Sequence, residues 1–315
     1  MLKCKMCFFW KNKYVRSEQE PTLSEWHNFI SLLADLGGTV EINLAGGEPL
    51  LDERNLALVN FAAKKGIYTS LSSNGFLIDK EMACSIAQSG LEVIGLSLDG
   101  IDKDTHDFLR GTQGSYDKIM KGIDYLGKYC PDITIGIQTV ISQRNLDEII
   151  GLTKWVNGFG GIRYIVFQAI EQPFNTPLDF EWYKKSEYDS LWPNDIKKVN
   201  DVINELIQLK VSGYKIANPV SQLEVFKAYF AAPGKFIKKG KCSVGDNYMN
   251  INQFGDIFLC LRKESIGNIR TFAPQELWHS RKVAGAKEAM NNCRDNCHHL
   301  LNCCYTEEQS LALEN

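Results

Sequence analysis

The sequence predicts an α/β fold: an open or partly closed (β/α)6, TIM-like partial barrel with a parallel sheet, followed by a small cysteine-rich C-terminal domain. Three observations predict it. Five short runs rich in Ile, Val and Leu recur through the first two thirds of the chain, each closed by turn residues. Stretches of helical period lie between them. Eight of the ten cysteines gather at the two ends.

Taken in order, the first helix starts at the capping box Thr22-Leu-Ser-Glu25, where the Thr22 hydroxyl can accept the Glu25 amide and Glu25 can reach back. Leu23, Trp26, Phe29, Ile30 and Leu33 form its apolar face, and Gly37-Gly38 ends it. Strands are expected at 39–44, 67–72, 92–98, 133–141 and 164–170. Their apolar density reads as burial on both faces. Helices are expected at 54–65, at 80–88 between an Asp79 cap and a Gly90 stop, and at 116–128, 145–156 and 195–209. Parallel strands require such crossovers, and ligands of these folds bind at the carboxyl ends of the strands. The alternation stops near Gly213. The expected division is a barrel at 1–216, a helix and linker at 217–240, a second domain at 241–305 and a tail at 306–315.

Composition narrows the function. The chain has 315 residues, 35 Lys+Arg against 38 Asp+Glu, and a formal charge of −3. That balance gives no general attraction to nucleic acid or to an anionic membrane. No apolar run approaches the roughly 18–20 residues of a membrane span, and the N-terminus lacks a secretion signal. A cytoplasmic protein is expected, so ten cysteines read as metal or redox chemistry rather than disulfides.

Cys4-x-x-Cys7 stands just before the first helix, followed by Phe8, Phe9 and Trp10. The spacing is shared by zinc sites and redox pairs. Cys242 and Cys260 flank 247–259, which alternates like a hairpin with Gly255 at its turn. Cys293, Cys297, Cys303 and Cys304 add sulfur from a later loop. Four thiolates on converging loops suit zinc or an iron–sulfur cluster. Cys84 and Cys130 read as buried thiols.

These motifs together resemble the radical SAM enzymes. MLKCKMCFFW is similar to their cluster loop, whose three cysteines are spaced x3 then x2. LAGGEPLL resembles their GGE motif, and SSNG, SLDG and FLRG resemble segments at and after the next strands. The arrangement Cys242…Gly255-x4-Cys260…Cys293/Cys297/Cys303 resembles the SPASM/twitch extension.

The resemblance implies a 4Fe-4S cluster on Cys4 and Cys7 whose open iron takes S-adenosylmethionine, and an auxiliary 4Fe-4S cluster on Cys242 and Cys260 with two of Cys293, Cys297 and Cys303. It implies reductive cleavage to a 5′-deoxyadenosyl radical, served by an electron donor such as flavodoxin or ferredoxin, and hydrogen-atom abstraction from a peptide or small-molecule substrate. Gly46, Gly47 and Glu48 would face the methionyl ammonium, Ser97 and Arg110 its carboxylate, and Asp99 the ribose. Ser72 and Asn74 are candidates for cofactor hydroxyls, Gln138 and Thr139 for the adenine side, and Phe8 for packing over cluster or adenine. Gln168 and Glu171 are candidates for facing substrate. One departure is plain: the first signature cysteine would fall immediately upstream of Met1. The expectation is a clipped N-terminus that also lacks a preceding strand. The rival reading is a non-catalytic metal- or cluster-binding scaffold.

Overall fold

Five strands, β1 (Glu41–Leu44), β2 (Tyr68–Ser73), β3 (Val93–Ser97), β4 (Thr134–Ile141) and β5 (Ile162–Ala169), pair side by side in chain order, all parallel. They form one sheet in a computed structural model that describes residues 2–7, 9–11, 17, 19–36, 38–173, 176–177, 179–238, 241–294, 298–306 and 311–313. α1 (Leu23–Ala34) precedes β1, and the crossovers are α2 (Arg54–Lys64), α3 (Lys80–Ser89), α4 (Lys103–Arg110) with α5 (Ser115–Tyr129), and α6 (Ile149–Gly158). The Thr22 capping box is present, with the Glu25 amide donating to the Thr22 hydroxyl at 3.2 Å. Asp79 caps α3, and Gly90 ends it at φ 77°.

Two local readings change. The helix expected from 145 begins at Ile149, because the Asn145 amide is committed elsewhere. It accepts from Ser142 N–H at 2.8 Å and donates to the Asp99 and Val140 carbonyls at 2.7 and 2.8 Å. The sequence reading had no helix at α4, yet Asp102 caps one by accepting from Asp104 and Thr105 N–H.

Burial on both strand faces is corrected. The outer face is apolar and packs under the helices, burying Leu71, Ile94, Leu96, Ile135, Ile137 and Ile165 in the main core. The inner face is mostly polar; Val93 is among its lining, and Leu71 also borders it. Glu41, Asn43, Tyr68, Ser70, Ser72, Thr134, Gln138 and Tyr164 line a cavity of about 370 Å³ there. Alternation along each strand separates the two faces.

After β5 come α7 (Ile196–Val211) and α8 (Val220–Ala231). Leu223, Phe226, Tyr229 and Phe230 of α8 join the main core, beside Trp182 and Trp192. The outer edge of β5 meets three successive partners. Ile165 pairs with backbone at Lys215 and Ala217, Phe167 with the Asn218 side chain, and Ala169 with the Asn302 side chain. An edge that would otherwise leave backbone groups bare is thereby closed.

The C-terminal region contains β6 (Phe236–Lys238), α9 (Val244–Asn247), β7 (Asn250–Ile251), β8 (Asp256–Phe258), β9 (Gly267–Asn268), α10 (Pro274–Trp278), α11 (Arg281–Asn291), α12 (His298–Asn302) and β10 (Leu311–Leu313). β7 and β8 form the expected hairpin, with Gly255 at φ 81°. β9 extends it, and β6 pairs with β10. A second core gathers Cys242, Val244, Ile257, Leu259, Leu277 and Cys304 against Phe29 of α1. Arg270 ties the same contact, donating to Glu25 at 2.8 Å. No helix among the described residues is long and apolar enough to cross a membrane.

Candidate functional site

The Cys4–Cys7 loop is docked by backbone. Lys5 N–H donates to the Leu109 carbonyl at 2.9 Å, and the Trp10 indole donates to the Cys4 carbonyl at 3.1 Å. Gly111 sits at φ 61°, where a Cβ would fall 2.0 Å from the Lys3 carbonyl oxygen. Only glycine permits that approach. The docking brings the Arg110 guanidinium to 4.0 Å from the Cys4 sulfur. Burial pushes the Cys7 thiol up, opposed by the Phe9 N–H.

Gly46 (φ 112°) and Gly47 follow β1 in an open turn, with no atom within 4 Å of either absent Cβ. Glu48 caps the short helix Pro49–Leu51. Its carboxylate accepts from the Ser73 hydroxyl and Asn74 N–H, both at 2.8 Å, and from Leu50 N–H at 3.2 Å. Burial raises its pKa against those donors. Glu48 thus clamps the ends of β1 and β2 together. Asn74 closes its own turn, accepting from Phe76 N–H at 2.9 Å.

Asp99 is fully buried rather than presented at the sheet edge. It accepts from Val140 N–H at 3.0 Å and pairs with Arg110 at 2.7 Å. Burial raises its pKa and the Arg110 charge opposes the rise. His106 accepts the Asp99 N–H at 3.2 Å, and burial holds it down to about 3, so it is neutral. The Arg110 fork, expected at the methionyl carboxylate, lies between Asp99 and Cys4. Ser97 is in register with Gln138, whose amide donates to the Ser72 hydroxyl at 3.2 Å. Thr139 points the other way and donates to the Leu98 carbonyl at 2.7 Å.

Sequence reasoning missed Ser73, Glu41, Asn43, Tyr68, Ser70 and Tyr164. The signal was available for part of the inner face, since polar side chains alternate at Glu41 and Asn43 on β1 and at Tyr68, Ser70 and Ser72 on β2.

At the other end, Gln168 contacts the Cys303 sulfur at 3.9 Å, so this cysteine faces the end of β5. The Glu171 carboxyl, surrounded by protein, is pushed up to about 7 by burial, with Arg262 opposing. Burial raises the Cys260 thiol, and neighbouring Cys242 and Cys293 raise it further. Cys304 is buried in the same second core as Cys242. Cys130 is buried and Cys84 half-buried. Phe8 and Cys297 lie outside the described residues. Among the described residues, no three Cys, His, Asp or Glu side chains gather closely enough to hold a metal ion.

The donors at the N-terminal loop fit an iron–sulfur cluster in kind. They are soft thiols, with the Arg110 cation fixed beside Cys4. Residues 1–156 match the profile of the Radical SAM superfamily, and the chain belongs to that superfamily. It is 26% identical over 288 residues to an AdoMet-dependent heme synthase of Methanosarcina barkeri (strain Fusaro / DSM 804), covering 87% of this chain and 79% of that protein. It is 28% identical to an S-adenosylmethionine-dependent nucleotide dehydratase of Selenomonas ruminantium, covering 72% and 86%. The fold is similar to that of native anSMEcpe with bound AdoMet, with a TM-score of 0.69 and 21% identity over 96% of this chain and 84% of that one.

Proposed function

We propose that this radical SAM protein reductively cleaves S-adenosylmethionine and modifies a peptide or small-molecule substrate by hydrogen-atom abstraction, as a maturase, dehydrogenase or epimerase. One observation carries the reading. The Cys4–Cys7 loop is docked onto Leu109 and Gly111 at the C-terminal end of α4, beside Arg110. When bound, a 4Fe-4S cluster with S-adenosylmethionine supplies a 5′-deoxyadenosyl radical.

Cys4 and Cys7 would hold that cluster. Gly46 and Gly47 leave their backbone open to the methionyl end, and Ser72, Asn74 and Ser97 line the rim. Glu48, Asp99 and Arg110 fix the geometry of that rim from behind. Each of the three remains a candidate for direct cofactor contact. Gln168 and Glu171 stand where the C-terminal region meets the end of β5 and would face substrate. We assign the barrel to 1–216, the connecting segment to 217–240 and a SPASM/twitch-like unit to 241–305. An auxiliary 4Fe-4S cluster there would use Cys242 and Cys260 with two of Cys293, Cys297 and Cys303. A flavodoxin or ferredoxin in the cytoplasm would supply the electron.

Anaerobic reconstitution tests this. Iron at both ends and 5′-deoxyadenosine on reduction are expected. Zinc, or iron at the C-terminal site alone with no spectral response to S-adenosylmethionine, would instead mark a non-catalytic scaffold.

A further inference from the structure

The polar inner face carries a charge pattern of its own. Among the described residues, Glu41 is the one acid lining the cavity, and no Lys, Arg or His lines it. Glu41 is oriented from one side: it accepts from the Ser70 hydroxyl at 2.7 Å, which in turn accepts from the Asn43 amide at 2.7 Å. No cation pairs with Glu41 among the described residues. Tyr164 stands within its electrostatic reach, and Tyr68 within that of Glu92 and, more weakly, of Glu41. Two glycines shape the wall. A Cβ at Gly136 would fall 2.2 Å from the Tyr164 ring, and one at Gly95 would fall 2.4 Å from the Gln138 amide. These side chains therefore lie flat over the sheet, leaving space above them. Gln138 leads upward to Ser72, on the rim assigned above to the cofactor.

We propose that this chamber takes its substrate by a primary ammonium group, held by Glu41 and flanked by the rings of Tyr68 and Tyr164. A carboxylate with two aromatic rings attracts an ammonium through charge and through the ring faces. A group bearing only carboxylates or phosphates would meet Glu41 with no cation to offset it. The inference rests on the reading that substrate enters the barrel. A lysine side chain in a peptide and a free alkyl diamine share the required chemistry.

The test is calorimetric titration of the full chain with lysine blocked at both backbone ends, with cadaverine, and with blocked norleucine and blocked glutamate. The amines should bind about tenfold tighter than norleucine, the size of one charge-assisted hydrogen bond. Glutamate should bind weakest. Glu41→Gln should abolish the preference and Glu41→Asp should retain it. Blocked lysine above cadaverine marks a peptide substrate; the reverse order marks a free amine. Norleucine binding as tightly as lysine, or a preference that survives Glu41→Gln, would overturn the proposal. The titration requires no cofactor cleavage, so absence of 5′-deoxyadenosine would defeat the proposed activity and leave this result standing.

Discussion

Asn302 hydrogen-bonds both backbone groups of Ala169 at once, donating to its carbonyl and accepting its N–H, each at 2.8 Å. The contact welds α12 to β5, and it precedes Cys303 directly in the chain. Gln222 joins in, accepting from the Asn218 amide at 2.9 Å and donating to the Leu301 carbonyl at 2.7 Å. Replacing Asn302 by Leu strands two buried backbone groups. The expected loss is about 2–6 kcal/mol of unfolding free energy, at roughly 1–3 for each group. Denaturant unfolding measures it. Because Asn218 shares the network, Asn218→Leu with Asn302→Leu should depart from additivity.

Arg110→Met leaves the Asp99 carboxylate buried beside no cation. The expected cost is about 3–5 kcal/mol. Asp99→Asn on top of Arg110→Met should recover part of it, since the uncompensated charge is then gone. A cycle of urea melts checks both steps. A cost below about 1 kcal/mol, typical of an exposed pair, would show that the pair is not buried.

His106 makes stability depend on pH with a definite sign. Its folded-state pKa of about 3 lies below the ordinary 6.5. As pH falls through that interval, the unfolded chain takes up a proton that the folded chain refuses. Stability is therefore present above about pH 6.5 and declines toward pH 3, with a slope approaching about 1.4 kcal/mol per pH unit from this group. His106→Asn should remove that contribution from the slope measured between pH 6 and 4.

Gly111→Ala should act on the cysteine loop more than on the fold. The left-handed backbone costs about 1–2 kcal/mol for a residue with a Cβ. The overlap with the Lys3 carbonyl must then push the loop away. Iron retained by Cys4 and Cys7 after reconstitution should fall several-fold while the melting temperature drops by only a few degrees. Iron analysis beside calorimetry distinguishes the two effects.

The outer layer of the fold was legible because apolar period and turn residues are local signals. β2, β3, the α1 capping box and the Gly255 turn all emerge near their expected places. The inner face was misread because Ile and Leu on the helix-facing side catch the eye, masking Glu41, Ser70 and Tyr164 beside them. The α4 helix was overlooked, although Asp102 and Gly111 bracket it with a cap and a stop. Asn218 and Asn302 could not be read at all. Their partners lie 51 and 133 residues away, and an asparagine that closes a strand edge looks locally like any loop asparagine.

The decisive measurement is 5′-deoxyadenosine formed from S-adenosylmethionine by the anaerobically reconstituted, reduced chain, produced with and without an N-terminal extension that places a cysteine immediately before Met1. A radical SAM enzyme should give turnover with the extension, lose it in Cys4→Ala and Cys7→Ala, and show much less without the extension. An extended chain fully loaded with iron that releases no 5′-deoxyadenosine would contradict the proposed activity.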